Sequence, residues 1–387
     1  MKLAKRMSRL GTETAFEVLA KARILEAEGV DVIHLEIGEP DFDTPKNIID
    51  AGSSALSSGY THYGPSPGLP QLRQKIAEEI STTRNIPVTA ENVVVTPGGK
   101  PIMFFCILAL IEPGDEVLYP NPGFPIYESM INFAGGTPVP MKLHEDLDFN
   151  FNINEIVNQV TDNTKMIIIN SPNNPCGSII PRSDLEALAK IAIDKDLIIL
   201  SDEIYCRYLY EGSHESISTF PGLQERTIIL DGFSKTYAMT GWRIGYGIMP
   251  LPLVEPVSRL ITNSVSCTAS FTQIAALEAI TGTQNEANKI VSEFKKRRDI
   301  IVNGLNQING ISCKTPKGAF YVFPNIKETG MSSRKFADDL LQNTGVASLN
   351  GESFGMFGKD YVRFSFANST KNIQEALNRI ETFVKKN

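Results

Sequence analysis

The sequence predicts an α/β protein, with a mostly parallel central sheet in a three-layer α/β/α large domain and a smaller α+β domain after it. Three observations predict it. From about residue 90, short β-branched runs alternate with helical stretches. Those runs are apolar almost throughout, as strands are when helices cover both faces of a sheet. After about residue 285 the alternation stops, and a long charged helix leads into short aromatic strands.

The elements follow in order. "MKLAKRMSRL" is basic, and no apolar core follows it. "TETAFEVLAKARILEAEG" has Thr14-x-x-Glu17 at capping-box spacing and ends at Gly29, so a helix is expected. The expected strands are 92–96 ("NVVVT"), 115–119 ("DEVLY"), 165–170 ("KMIIIN"), 197–203 ("LIILSDE"), 227–233 ("TIILDGF") and 242–248 ("WRIGYGI"). Helical stretches such as 184–193 lie between them. "NEANKIVSEFKKRRDIIVNGLNQ" is the charged helix, and "GAFYVFPN" and "YVRFSFAN" are the strands after it. The expected organisation is a large domain over 46–285 and a small domain over 286–387. Segment 1–45 is too short to fold alone and should pack with the small domain.

Bulk properties narrow the function. A chain of 387 residues exceeds one ordinary core, so about two domains are expected. The net charge of −7 supplies no basic face for a nucleic acid. Five cysteines lack metal or redox spacing and are expected as reduced thiols. The longest apolar run, 102–111, is about half the ~20 residues that span a bilayer. A cytoplasmic protein without a membrane segment is expected.

Several expected strands end in polar residues: Asn170, Asp202, then Ser234-Lys235. Ligands of open α/β sheets sit beyond the carboxyl ends of the strands, so these three ends are candidates to share one crevice. A lysine held at low dielectric yields a neutral amine able to attack a carbonyl, for instance an aldehyde cofactor. A lone lysine after a strand is otherwise a snorkelling surface residue. Asp202 at a buried strand end needs a partner. A protonated pyridine nitrogen, as in pyridoxal phosphate, is one, and capping the next turn is the alternative. Tyr205, three residues on, is either a hydrogen-bond donor to the cofactor's ring oxygen or a packed ring.

"TPGGKPIMFF" opens a helix directly after a strand, which presents the N–H groups of Gly98 and Gly99 to an anion. Ser234 and Arg243 offer a hydroxyl and a guanidinium to the same dianion. Asn174 in "NSPNNPCG" is a further candidate for the ring oxygen, in what is otherwise a turn. Phe124 in "NPGFPIY" is either a stacking aromatic or a loop anchor. In "DYVRFSFAN", Val362, Phe364 and Phe366 face one way, and Tyr361, Arg363 and Ser365 the other. An arginine in so apolar a strand needs an anion, and a substrate α-carboxylate would supply one through two parallel hydrogen bonds.

Taken together, these residues resemble a class I pyridoxal-phosphate-dependent aminotransferase of fold type I. The likeness runs from "LEIGEPDFDTP" through "YTHYGPSPGLPQLR", "VVVTPGGKPIMFF", "NSPNNPCG", "LSDEIY" and "GFSKTYAMTGWRIGY" to "YVRFSFA". The resemblance implies that Lys235 binds the cofactor covalently and shuttles the proton. It implies that Asp202 partners the pyridine nitrogen, and that Tyr205 and Asn174 bond the ring oxygen. By the same likeness, Gly99, Lys100, Ser234 and Arg243 surround the phosphate, the first two mostly through backbone, and Phe124 stacks on the ring. Arg363 and the backbone at Gly38 hold the α-carboxylate. Tyr63 matches a tyrosine that reaches the neighbouring subunit's phosphate, which implies a homodimer with shared active sites.

The implied reaction is ping-pong transfer of an amino group from an amino acid to a 2-oxo acid. Lys100 after Gly-Gly resembles an aspartate-using subgroup, where the lysine meets the distal carboxylate, so aspartate or glutamate is the expected donor. Phe124 in "NPGFPIY" resembles relatives that prefer alanine or aromatic donors. A β-lyase or decarboxylase on the same fold is the other enzymatic reading. A non-catalytic domain that senses pyridoxal phosphate is a further one, though it would carry a DNA-binding segment.

Overall fold

The computed structural model describes residues 1–386. In chain order its elements are α1 (Thr14–Ala27), β1 (Ile33–His34), α2 (Lys46–Ser57), α3 (Pro70–Arg84), β2 (Val93–Thr96), α4 (Lys100–Leu110), β3 (Glu116–Asn121), α5 (Ile126–Ala134), β4 (Thr137–Lys142), α6 (Ile153–Gln159), β5 (Thr164–Asn170), α7 (Arg182–Asp194), β6 (Ile198–Asp202), β7 (Thr227–Gly232) and β8 (Gly245–Ile248). There follow α8 (Leu251–Ser264), α9 (Ser270–Thr281), α10 (Asn285–Leu305), β9 (Tyr321–Val322), α11 (Ser333–Thr344), β10 (Val346–Ala347), β11 (Leu349–Asn350), β12 (Val362–Ser365) and α12 (Thr370–Lys386).

Seven strands form the central sheet in the order β2-β8-β7-β6-β5-β3-β4. All its pairings are parallel except those of β8, which runs antiparallel to β2 and β7. Each strand is apolar on both sides because both sides are covered. Val94, Ile168, Leu200 and Ile228 enter the core built with α4, α5 and α8. On the opposite face Val93, Val95 and Ile229 pack with α3 and α9, and Ile167 and Ile199 with α6 and α7. Alternate residues of one strand thus serve different cores.

β4 was not among the strands expected. Its sequence, "TPVPMK", carries two prolines, which argue against a strand. The structure places it at the sheet edge, paired only with β3. Thr137 N–H bonds Asp115 O at 2.8 Å, so odd-numbered residues face β3 and the missing N–H groups of Pro138 and Pro140 fall on the open side.

The C-terminal region packs α10, α11 and α12 against the antiparallel sheet β11-β12-β9. β1 joins this region by pairing in parallel with β10. The residues before Gly11 lie instead on the large sheet's helix α5. Gly11 N–H bonds Ser129 Oγ at 2.8 Å, and Arg9 Nη2 reaches Phe133 O at 3.4 Å. Segment 1–45 therefore touches the C-terminal region through β1 and the large sheet's helix α5 through its first residues. The expected capping box is also absent. Thr14 is already helical, Glu13 holds the N-cap position, and no side chain caps α1. Gly29, at φ +91°, ends the helix as expected.

All five cysteines are free. Among the described residues no helix is long and apolar enough to cross a membrane.

Candidate active site

β5, β6 and β7 point their carboxyl ends into one cavity of about 990 Å³. Asn170 and Asp202 are register partners at the ends of β5 and β6. Asn170 Nδ2 donates to Asp202 O at 3.0 Å, and Asn170 Oδ1 accepts from Asn174 N at 2.8 Å. One amide thus fixes the 171–177 loop to the neighbouring strand. Gly38, Gly99, Lys100, Phe124, Asn174, Asp202, Tyr205, Ser234, Lys235, Arg243 and Arg363 all line the cavity. Tyr63 does not; it stands 89% exposed on the surface.

Lys235 lies three residues beyond β7, and its Nζ donates to Gly38 O. The rings of Tyr205 and Phe320 lie 5.9 Å from Nζ. Burial pulls its ammonium down to about 8, against the attraction of Glu39 and Glu13. A neutral amine is therefore accessible near neutral pH, as a nucleophile or proton carrier requires.

Asp202 is buried, and burial pushes it up to about 6, despite hydrogen bonds from Tyr127 and the Ile204 amide that favour its charged form. Tyr127 Oη donates to Oδ2 at 2.6 Å and Ile204 N–H to Oδ1 at 3.2 Å. Both donors are neutral, so this buried carboxylate has no cationic partner among the hydrogen bonds it makes. The expected alternative, a cap on the next turn, is present: Asp202 Oδ1 caps that turn by accepting from Ile204 N–H. Phe124 meets the Tyr127 ring edge-on at 5.7 Å, over the same part of the cavity.

The anion cradle is where α4 begins. Gly99 is the N-cap, and Gly98 sits at φ +89°. A Cβ on Gly98 would lie 2.3 Å from Nη2 of Arg243, so only glycine lets the guanidinium close over the turn. Arg243 Nη1 donates to Thr240 O at 2.7 Å, which leaves the fork's remaining donors toward the cavity. A helix N-terminus, a hydroxyl at Ser234 and a guanidinium lining one cavity suit a phosphate.

Arg363 is 4% exposed on β12. Its Nη1 donates to Asn174 Oδ1 at 3.0 Å and its Nη2 to Glu36 O, while Nε is buried without a partner. The guanidinium lies 4.3 Å from the Tyr321 ring centroid and 5.0 Å from that of Phe354. Burial lowers its proton affinity. This buried cation has no carboxylate of its own and faces the cavity. Tyr205 Oη bonds Tyr321 Oη at 2.7 Å. A Cβ at Gly38 would lie 2.2 Å from Tyr321 Oη, so the glycine makes room for that phenol.

Sequence reasoning missed Tyr127, Tyr321 and Glu13. Tyr127 was findable: it follows Phe124 by three residues, in the first turn of a helix after Pro125. Tyr321 belongs to a strand that looks purely apolar. Lys100, expected to meet a substrate, has its Nζ 2.5 Å from Glu13 Oε2 and 5.5 Å from the centre of the Phe124 ring.

Residues 30–380 match the family model described as aminotransferase class I and II. The chain is 40% identical over 355 residues to an aspartate aminotransferase of Pyrococcus abyssi, covering 91% of both chains. It is 41% identical over 385 residues to a (5-formylfuran-3-yl)methyl phosphate transaminase of Methanocaldococcus jannaschii, covering 99% of this chain and 100% of that one. The structure of Thermus thermophilus aspartate aminotransferase with maleate superimposes with a TM-score of 0.94 at 35% identity, over 99% of both chains.

Proposed function

The chain belongs to the class I and II aminotransferases and is a pyridoxal-phosphate-dependent transaminase, and on that premise we propose that it moves the amino group of aspartate or glutamate to a 2-oxo acid. One observation carries the reading: Lys235, an amine whose ammonium is pulled down to about 8, lies in the same cavity as the buried Arg363 guanidinium, whose Nε has no partner and which pairs with no carboxylate. When bound, pyridoxal phosphate supplies a protonated ring that takes up the electron pair left at the substrate α-carbon.

In this reading Gly99 and Lys100, mostly through their backbone, together with Ser234 and Arg243 would surround the phosphate, with the α4 N-terminus adding its dipole. Asp202 would hold the proton on the ring nitrogen, Tyr205 and Asn174 would bond the ring oxygen, and Phe124 would stack on the ring. Arg363, with the backbone at Gly38, grips the α-carboxylate and orients the α-hydrogen toward Lys235. Lys235 Nζ, the covalent anchor of the resting enzyme, would then be the base that takes that proton. Lys100 meets the distal carboxylate of the donor.

We further place the large domain at 46–285 and the small domain at 286–387, with segment 1–45 bridging them. Exposed Tyr63 fits a homodimer in which it completes the partner's site, in a cytoplasmic protein.

A half-reaction screen tests the donor: mix the holoenzyme with single amino acids and follow loss of the cofactor's visible absorbance. Aspartate and glutamate should react fastest. Faster reaction of alanine or phenylalanine would move the reading to the alternative donors. Pyruvate and ammonia from a β-substituted amino acid, without any 2-oxo acid present, would make it a lyase.

A further inference from the structure

Glu13 and Lys100 meet at the edge of the cavity both line, Oε2 to Nζ 2.5 Å. The Glu13 side chain is 17% exposed and that of Lys100 47%. Glu13 sits where the N-terminal segment leaves α5 and enters α1, so the pair ties that segment to the first residue of α4. No hydrogen bond of α1 depends on the Glu13 carboxylate, because it caps nothing. It is free to change partner without unwinding the helix.

A transaminase passes two different substrates through one cavity. An ammonium set there for a distal carboxylate loses that partner whenever the substrate side chain is uncharged, and Lys100, 47% exposed, then has the modest gain of a half-exposed ion pair available from Glu13. We propose that Glu13 is the exchangeable counterion of Lys100, and so a specificity-determining residue. It pairs with the ammonium when the substrate side chain is uncharged, and yields when a distal carboxylate arrives. Its displaced charge stays at the positive end of α1, which favours it there. The inference rests on Lys100 being the distal-carboxylate group of the reading above.

The test compares wild type, Glu13→Gln, Lys100→Met and the double variant as holoenzymes. The readouts are kcat/KM for aspartate, alanine and phenylalanine, and the Kd of maleate by calorimetry. Glu13→Gln should raise kcat/KM for aspartate and tighten maleate, each by roughly three- to tenfold, and lower kcat/KM for phenylalanine and alanine by a similar factor. Glu13→Asp should return the ratio toward wild type, and in the Lys100→Met background the Gln effect should vanish. Shifts of one sign for all substrates, no shift, or an effect that survives loss of Lys100 would each overturn the exchange. If Lys100→Met harms all three substrates alike, the distal-carboxylate role of Lys100 is what fails. If it harms aspartate alone while Glu13→Gln leaves the ratio unchanged, only the exchange fails.

Discussion

Tyr127 Oη donates to Asp202 Oδ2 at 2.6 Å, between the end of β6 and the first turn of α5. This bond favours the charged carboxylate against a burial that disfavours it. Tyr127→Phe should therefore keep the fold and slow turnover roughly tenfold, the scale of a lost hydrogen bond to a charged group. The loss should fall on kcat, with a larger isotope effect from α-deuterated substrate. Asp202→Ala should cut proton abstraction by roughly 10²–10⁴-fold while phosphate anchoring persists. An unchanged isotope effect in the first variant, or an unchanged rate in the second, would remove the pyridinium role.

Arg363 offers a planar fork that lysine cannot reproduce. Arg363→Lys should lower kcat/KM by roughly a hundredfold, and by the same factor for aspartate, alanine and phenylalanine, since all share the α-carboxylate. Steady-state kinetics on the three substrates checks this. Selective loss of one substrate would place Arg363 on the side chain instead.

The buried amine of Lys235 predicts a pH dependence in the cofactor-free protein. Its ammonium is lowered from 10.5 to about 8, so between those values the unfolded chain holds a proton that the folded chain does not. Stability contributed by this group is present above 10.5 and lost as pH falls through about 8. Lys235→Met should thus unfold at higher temperature than wild type at pH 7, with the gap closing as pH rises toward 10.5. Thermal melts from pH 7 to 11 decide it, and a gap independent of pH would contradict the burial argument.

His34 has the opposite sign. It lies 2.7 Å from Glu36 Oε1 and 3.1 Å from Glu26 Oε1. The hydrogen bond with Glu36, foremost, lifts it from 6.5 to about 9 against partial burial, with Glu26 adding to the lift. Its stabilising contribution is full below 6.5 and is lost as pH rises through about 9. His34→Gln should melt earlier than wild type at pH 6 and match it more closely by pH 10. A constant difference across that range would mean the imidazolium is not what holds β1 to the buried Glu36.

Strands buried on both faces were legible because they show as unbroken β-branched runs, and their polar last residues located the cavity. β4 was not legible, because Pro138 and Pro140 argue against a strand until the edge position is known. Lys235, Asp202 and Arg363 stood out as polar groups that burial makes costly without partners. Tyr321 did not, because a tyrosine in an apolar strand looks like packing and only the fold reveals which phenol it faces, whereas Tyr127 was findable from its place in the first turn after Pro125 but its carboxylate partner was not. Thr14-x-x-Glu17 misled because spacing alone suggested a cap. Glu13, one residue earlier, takes the N-cap position and turns its carboxylate to Lys100, a residue 87 positions away.

The central claim is that Lys235 carries the cofactor. Borohydride reduction of the holoenzyme, followed by proteolysis and mass spectrometry, tests it most directly. The account predicts one phosphopyridoxyl mass increment, on the peptide containing Lys235, and its absence, together with absence of turnover, in a folded Lys235→Ala protein. An increment on a different lysine, or turnover retained by Lys235→Ala, would contradict it.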